Sequence, residues 1–258
     1  MLIIYFYSLN LYLFNMILKA DLHLHTVLSP CGDLDMSPVN IINEAKNKDL
    51  KIIGITDHNS TLNAKTCFDI AQKNGIYVLC GAEVTTSEEV HCVCFMPDFD
   101  TLNLFQKYLD KHVIFFQNNP DKFGYQFVVD ENEDIVDEVQ HLLINALSIS
   151  LAELQKKVEE LNGIFIPAHI DRSTYSISSQ LGFLPPDLKF DALELSPFAF
   201  RNNFFEKMPW FKNFNYICDS DAHFLKDIAK IYNTFDIDTI DFNNIKNAIR
   251  KGTNIENY

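Results

Sequence analysis

The chain has 258 residues, of which 47% are hydrophobic and 22% are charged. This composition is typical of a globular protein with a sizeable core and argues against an intrinsically disordered chain. Because 35 Asp and Glu residues outnumber 21 Lys and Arg residues, the formal net charge is -14, which repels nucleic-acid phosphates and predicts that long nucleic acid is not a partner.

The cysteines and the N-terminal segment bear on the compartment. None of the six cysteines forms a C-x-x-C pair, so we predict neither a zinc knuckle nor a thioredoxin-like motif, and a reducing, cytoplasmic setting. Residues 1–18 are apolar and uncharged, but they lack a basic region and a small-residue cleavage site, and Ser8, Asn10 and Asn15 interrupt them. We therefore predict no signal peptide and no membrane span. We interpret this extension as dispensable or as a mis-assigned start, with Met16 as the alternative start.

From residue 19 onward, apolar runs alternate with helical patterns. The apolar runs predict strands over residues 17–22, 51–56, 76–84, 90–96, 163–168, 192–195 and 215–218. The spacing of apolar residues predicts helices over 38–48, 62–74, 102–111 and 151–161. Ser37 before Pro38, and Ser150 with Glu153 close behind, are typical helix starts.

This alternation predicts an α/β fold, and about seven strands over this length predict a distorted (β/α)7 TIM-like barrel. Residues 116–150 break the pattern with the hairpin-like stretch FGYQFVVDENEDIVDEVQ and an acidic turn at Asp130–Asp134. We interpret them as a small acidic hairpin insertion on the rim of a single domain that spans residues 19–258.

The first motif with chemical content is DLHLHT, Asp21 to Thr26, at the end of the first predicted strand. Alternate side chains of a strand share a face, so His23 and His25 point the same way and can bind one metal ion. Asp21 lies on the same face and can orient an imidazole through its second ring nitrogen. Taken alone, the motif is equally consistent with two buried, hydrogen-bonded histidines.

Further motifs place histidines or acids at the ends of other predicted strands: TDHN (His58), GAEVTT (Glu83), PAHID (His169) and SDAH (Asp221, His223). His91 opens the strand HCVCFMP, in which Cys92 and Cys94 occupy the opposite face. Each motif alone is weak evidence. Because a barrel gathers its strand ends at one rim, the set predicts one multinuclear metal site. His112 and His141 lie outside the motifs, and we assign both to the surface.

These segments, in this order, resemble the motifs of the PHP family, named for polymerase and histidinol phosphatase domains, over about residues 19–235. The likeness is to stand-alone PHP proteins rather than to the domain appended to DNA polymerases. The resemblance implies a distorted (β/α)7 barrel and hydrolysis of phosphoester bonds with two or three divalent ions, either Zn, Mn or Fe.

The resemblance also implies which residues hold each ion. The first ion would be held by His23, His25, Glu83 and Asp221, the second by His58, His223 and a loop acid, and the third by His91, His169 and a bridging Glu83. His23, His25, Glu83, Asp221 and His223 would be the catalytic set. In many relatives the loop acid lies in an S-D-G soon after the second histidine, whereas the loop here reads TVLSPCGDLD. We therefore predict Asp33 as the loop ligand, with Asp35 or Cys31 as alternatives.

The ions imply the chemistry. Neighbouring cations lower the pKa of a bridging water, which would attack phosphorus as hydroxide, and no Ser or Cys motif offers a protein nucleophile. Arg172 and Arg201 are the predicted phosphate-binding residues, because a guanidinium can bind phosphate oxygens through two hydrogen bonds. A surface ion pair is the alternative role for either arginine.

The predicted substrate is a small phosphorylated metabolite or nucleotide. Two alternatives stay open, an exonuclease or oligonucleotidase acting on short nucleic acid, and a non-catalytic metal-binding module. The fold alone cannot choose among them.

Overall fold

The computed structural model describes residues 16–199, 202–252 and 254–256, so most of the N-terminal extension and Arg201 lie outside the described residues. The strands of this part of the chain are β1 Met16–Leu24, β2 Ile52–Ile55, β3 Tyr77–Thr85, β4 His91–Met96, β5 Phe127–Val129, β6 Ile135–Glu138, β7 Ile164–Pro167, β8 Leu193–Leu195, β9 Tyr216–Cys218, β10 Tyr232–Ile237 and β11 Asn254–Glu256. The α-helices are α1 Pro38–Asn47, α2 Ala64–Gln72, α3 Phe99–Lys111, α4 Pro120–Phe123, α5 Leu151–Glu160, α6 Ile177–Gln180, α7 Phe204–Lys207 and α8 Phe242–Lys251.

The main sheet has seven strands in the order β11-β10-β1-β2-β3-β4-β7. Strands β1, β2 and β3 are parallel, whereas β4 is antiparallel to both β3 and β7, and β10 is antiparallel to β1 and β11. The parallel pair β8–β9 is joined to the edge strand β7 and to the inner strand β1 of this sheet. Ile170 donates its N–H to the Glu194 carbonyl beside β7, and Leu24 of β1 pairs with Ala222 just after β9.

These links curl the strands into a half-barrel. An α/β fold is thus confirmed, whereas the distorted (β/α)7 barrel that we expected stays a prediction. Strand β4 departs from a regular alternation of strands and helices. The short turn between β3 and β4 holds no crossover helix, which a parallel neighbour would require.

The core lies in two layers, one on each face of the sheet. Along β4, Val93 and Phe95 pack inside the curl, while Cys92 and Cys94 pack against the helices on the outer face. The predicted alternation of β4 is therefore confirmed, and it places His91 on the inner face. Phe242 and neighbouring apolar residues of α8 pack into the inner layer.

The predicted elements of the first 218 residues are confirmed to within a few residues. The Ser37 side chain caps α1 with Pro38 in its first turn, and Ser150 and Glu153 form a capping box at α5. Residues 116–150 contain the hairpin β5–β6 with its acidic turn. No helix in the described ranges is long and apolar enough to cross a membrane.

Candidate metal centre

Eight side chains from separate segments meet at one end of the curled sheet. All are buried except that of His223, which is partly exposed: His23, His25, His58, Glu83, His91, His169, Asp221 and His223. The imidazoles are close neighbours, with ring centroids 4.2 Å apart for His25 and His223 and 4.6 Å apart for His25 and His58. The predicted convergence of the motifs at one rim is therefore present, while their roles as metal ligands stay predictions.

The carboxylate of Glu83 lies at the centre of this cluster. Its Oε1 is 2.9 Å from His91 Nδ1 and 3.0 Å from His169 Nε2, and its Oε2 is 3.1 Å from His58 Nδ1. The Nε2 atoms of the two β1 histidines each lie 3.5 Å from one of its oxygens. Burial raises the pKa of Glu83, but the surrounding imidazoles outweigh this effect and hold the pKa well below its usual value.

Backbone geometry at the strand ends aims these side chains inward. The β1–β2 pairing shifts register between Asp21 and Leu24, and the chain then bonds back to β9 through the His25 N–H and the Ala222 carbonyl. His169 and Asp221 adopt left-handed φ values of 29° and 50°. Such conformations are costly for residues other than glycine and cluster at functional sites.

Three overlapping groups of these side chains have ligand atoms that lie within 4.8 Å of one another: His25 with His58 and His223, His23 with His25 and Asp221, and His58 with Glu83 and His91. Three buried polar atoms of the cluster make no hydrogen bond of normal geometry in the described residues, namely His58 Nδ1, His169 Nδ1 and Asp221 Oδ1, although His58 Nδ1 lies 3.1 Å from Glu83 Oε2. Buried polar atoms are normally satisfied, so unpaired imidazole nitrogens and a carboxylate oxygen fit metal ligands.

A buried carboxylate that we did not predict supports His23. Both oxygens of Glu194 accept from Nδ1 of His23, at 2.9 and 3.1 Å, which leaves Nε2 free to face the cluster. Burial lowers the pKa of His23, but Glu194, Asp221 and Glu83 raise it well above the ordinary value. The sequence signal was an acid between apolar residues in ALELSP, because such a carboxylate is buried only with a partner.

The role that we expected for Asp21 is not the one that the structure shows. Its carboxylate accepts the N–H and the hydroxyl of Ser220 and the N–H of Ala229, so it holds the first residue of the SDAH motif and a residue that follows the motif. Nδ1 of His25 instead pairs with the Ser29 hydroxyl at 2.9 Å. Asp21 therefore positions Asp221 and His223 through the backbone rather than orienting a β1 imidazole.

Cys31 and Asp33 both lie in the loop after His25, and the Asp33 N–H donates to the His223 carbonyl at 2.9 Å. His58 and His223 are the imidazoles that act on the Cys31 thiol. Its desolvation raises the thiol pKa, but the charges and hydrogen bonds of these imidazoles lower it to about 6. Asp33 turns its carboxylate toward the backbone N–H of Asp35, and none of Cys31, Asp33 and Asp35 belongs to a metal-capable group in the described part of the chain, so the loop ligand stays a prediction.

Arg172 lies at the mouth of the cluster. Its Nη2 is 2.5 Å from Asp221 Oδ2, and 39% of its side chain is exposed. Burial lowers the pKa of Arg172, but Asp221, Glu83 and Glu194 outweigh this and raise it, so the guanidinium stays charged. Arg201, the second predicted phosphate ligand, falls in the part of the chain that the structure does not describe.

Asp219 carries a buried charge whose removal is expected to stabilise the protein at high pH. Its Oδ1 accepts the Leu22 N–H and the Asn233 side-chain amide, whereas its Oδ2 has no partner in the described residues. Burial, followed by the charges of Glu194 and Asp21, raises the pKa of Asp219 well above its usual value. The wild-type protein therefore loses stability as the pH rises from the unfolded pKa of about 3.9 through the folded pKa.

We expect Asp219→Asn to raise the free energy of unfolding by about 1 kcal/mol at pH 8 and by almost nothing at pH 4. Urea denaturation of both proteins across this pH range measures the difference. A difference that does not grow with pH would contradict the buried-charge explanation.

A curled α/β sheet gathers six histidines and two carboxylates at its strand ends, in groups that could hold metal ions. Comparison with known proteins identifies the family. A model of the PHP domain matches residues 21–133, and a model of the PHP-associated region matches residues 212–254. The chain belongs to the PHP family.

Individual relatives are similar to this chain over different lengths. An uncharacterized protein of Methanocaldococcus jannaschii is 34% identical over 79 residues, which are 28% of this chain and 46% of that protein. The lesion-specific endonuclease EndoQ of Pyrococcus furiosus superposes with a TM-score of 0.69 at 20% identity, over 93% of this chain and 58% of that one. A Bifidobacterium adolescentis protein provisionally classed as a metal-dependent phosphoesterase superposes with a TM-score of 0.56 at 17% identity, over 93% of this chain and 98% of that one.

This chain thus spans only about half the length of the first two of these relatives. A second structure contains Endonuclease Q with a duplex DNA substrate that carries an abasic lesion at its active site. From the net charge we predicted that long nucleic acid is not a partner. A fold shared with an enzyme that has a duplex DNA substrate counts against that prediction.

Proposed function

We propose that this protein hydrolyses phosphoester bonds at a di- or trinuclear metal site. The observation that carries the proposal is the carboxylate of Glu83 within 3.5 Å of five imidazoles, beside buried ligand atoms that lack partners. In the absence of cations, so many buried polar groups would be costly. Family membership supports the same chemistry.

The proposed ligand sets are those that the family resemblance implies, and each shares at least two side chains with a metal-capable group of the structure. They comprise His23, His25, Glu83 and Asp221 for one ion, His58 and His223 for a second, and His91 and His169 with Glu83 for a third. Zinc, manganese and iron are the proposed metals, since imidazole and carboxylate ligands suit all three. Bound divalent ions supply an activated water and neutralise charge on the phosphate oxygens.

The protein's own groups then position the substrate and move protons. Arg172 is placed to bind a phosphate oxygen through the donors that Asp221 does not use. His223 is the most exposed imidazole of the cluster. Burial lowers its pKa, but Cys31 and Asp221 outweigh this effect and raise the pKa above its usual value. A protonated His223 would be a suitable general acid for the leaving alkoxide only in protein that does not use this imidazole as a ligand of the second ion.

The preferred substrate is a small phosphorylated metabolite or nucleotide. The second candidate is a nuclease, which the superposition on EndoQ favours and the charge of -14 disfavours. Because these two candidates need different substrates, one panel separates them. It contains phosphomonoesters, nucleoside bisphosphates, short oligonucleotides and duplex DNA with an abasic site, each assayed with zinc, manganese and iron.

Release of phosphate from the small substrates alone would support the first candidate, and strand cleavage the second. Protein that binds metal and hydrolyses no member of the panel would support the alternative of a non-catalytic metal-binding module. The site is tested directly by measuring the metal content of the His23→Ala and His141→Ala variants before the assay. Equal metal content in the two variants would contradict the proposal, since His141 lies outside the cluster.

Replacing Arg172 with Ala is expected to raise KM by about tenfold, the effect of losing one partly exposed charged hydrogen bond. Arg172→Lys should give a smaller increase, because an ammonium keeps the charge and loses the paired donors. The matched control is Arg250→Ala, which removes an arginine paired with Asp191 at 2.6 Å outside the cluster. Steady-state kinetics at saturating metal provide the measurement. An unchanged KM in Arg172→Ala would mean that the arginine only neutralises Asp221.

A further inference from the structure

Tyr175 is an exposed aromatic residue that covers one face of an imidazole of the cluster. Its ring stacks on the ring of His91, with the centroids 4.8 Å apart and an angle of 24° between the ring planes. Nδ1 of His91 in turn lies 2.9 Å from a carboxylate oxygen of Glu83. The tyrosine ring is therefore separated by a single imidazole from the carboxylate at the centre of the cluster, while 45% of Tyr175 is exposed to solvent.

The backbone holds Tyr175 in a conformation that is unusual for its residue type. Its φ is 56°, in the left-handed region, and its carbonyl accepts the His91 N–H at 2.9 Å. The hydroxyl of the next residue, Ser176, donates to the Arg172 carbonyl at 2.6 Å and so closes the loop that carries the ring. A left-handed conformation is costly for a bulky residue and is typical of functional sites. The loop thus holds the ring against His91.

The other face of the Tyr175 ring is available to a ligand. Among the described residues, His91 is the one aromatic residue that stacks on this ring. Exposed aromatic rings are the surfaces on which proteins stack nucleobases, because two flat π faces attract each other whichever base is present. This attraction needs no positive charge, so it is compatible with the formal net charge of -14.

A group that can bind phosphate lies in the same loop as this ring. Arg172 precedes Tyr175 by three residues, and its Nη2 is 2.5 Å from Asp221 Oδ2. The guanidinium therefore contacts the cluster at Asp221, and the tyrosine contacts it at His91. A nucleotide carries the two groups that this arrangement suits, since its phosphate suits an arginine beside metal ions and its base suits an aromatic ring.

We propose that the exposed face of Tyr175 binds the base of a nucleotide whose phosphate lies at the metal centre. The position of the phosphate rests on the proposed function, and the inference narrows the substrate from phosphorylated metabolites in general to nucleotides. Because every base has an aromatic face, Tyr175 selects for the presence of a base and does not distinguish one base from another.

Kinetics with a pair of substrates test this role. One substrate is a nucleoside monophosphate, and the other is glycerol phosphate, which has a phosphomonoester and no aromatic group. Tyr175→Ala is expected to lower the ratio of the two kcat/KM values, nucleotide over glycerol phosphate, by about tenfold or more. Tyr175→Phe and Tyr175→Trp should keep most of this ratio, whereas Tyr175→Leu should lose it, because leucine fills the space without an aromatic face.

The ratio separates substrate binding from a purely structural role. A Tyr175 ring that only holds His91 would affect both substrates equally, so an unchanged ratio in Tyr175→Ala would overturn the inference. The matched control is Tyr108→Ala, which removes another tyrosine ring that contacts a histidine, His112, with the centroids 4.7 Å apart. Both of these residues lie outside the cluster, and the control should keep the wild-type ratio.

Equilibrium binding separates this inference from the proposed function. The probe is a 2-aminopurine nucleotide in which a CH₂ group replaces the ester oxygen, so that it resists hydrolysis, and its fluorescence falls when the base stacks on a ring. With zinc present, Tyr175→Ala is expected to bind the probe about tenfold or more weakly than the wild type. Weakening without hydrolysis of any phosphoester would sink the proposed function and leave the base site standing. Equal binding by the two proteins, or binding by neither, would overturn the base site whatever the turnover.

Discussion

Glu83→Gln is expected to lower phosphoester hydrolysis by about a thousandfold or more, the largest loss that we expect from any single substitution. Among the residues that the structure describes, Glu83 is the one carboxylate that approaches imidazoles from both β1 and β4, and its two oxygens face different rings. A glutamine keeps the volume but removes the charge and replaces one of the two oxygens with a hydrogen-bond donor. It therefore cannot bridge two cations.

The measurement is kcat/KM at saturating metal, together with the metal content of the purified variant. Glu131→Gln is the matched control, because Glu131 lies in the exposed turn between β5 and β6 and has no contact with the cluster. We expect this control to behave as the wild type does. A Glu83→Gln protein with its full metal content and full turnover would show that Glu83 is not a bridging ligand.

The convergence of the motifs could be predicted from the sequence because it depends on one general property of α/β sheets. Ends of parallel strands meet at one edge, so His25 and His58, at the ends of β1 and β2, were expected to be neighbours. The alternation within β4 likewise predicted that His91 faces inward and Cys92 outward. Local patterns of this kind are enough to predict which side chains share a face.

Long-range pairing is what the sequence could not predict. The sequence of strand β4 does not reveal whether its neighbours are parallel or antiparallel. The strand pairing of the curled sheet therefore could not be predicted. Helix α8 was missed although Asp241 caps its start and Gly252 follows its end, because it lies beyond the last motif. Cys31, Asp33 and Asp35 lie in one loop, and the choice of the loop ligand among them stays a prediction, since none of the three belongs to a metal-capable group in the described residues.

The partners of the imidazoles are equally dependent on tertiary structure. Glu194 is separated from His23 by 171 positions in the chain, and nothing in the local pattern connects the two. The sequence suggested instead the nearest acid, Asp21, on the correct face of β1. The register of β1 shifts between Asp21 and Leu24, and Asp21 accepts a hydrogen bond from the backbone N–H of Ser220. The short strand β8, paired with β9, carries Glu194, which contacts His23.

Glu194→Gln is therefore expected to weaken binding of the ion held by His23 by about ten- to a hundredfold, the usual cost of losing a carboxylate behind a metal-bound imidazole. The carboxylate fixes the tautomer by accepting from Nδ1 and raises the basicity of Nε2 through its charge. Because Glu194 is the leading cause that raises the pKa of His23 against the effect of burial, the substitution should also lower that pKa in the metal-free protein.

Two measurements distinguish positioning from a purely structural role. Titration with metal-buffered solutions gives the affinity, and nitrogen-detected NMR of the imidazoles gives the pKa of His23 without metal. Glu194→Asp keeps the charge on a shorter side chain, so it should recover part of both effects, while Glu194→Ala should lose more than Glu194→Gln. Excess metal should restore most of the turnover of Glu194→Gln, because Glu194 acts through His23 and not on the substrate. If Glu194→Gln bound metal as tightly as the wild type, the contact between Glu194 and His23 would serve only to satisfy two buried polar groups.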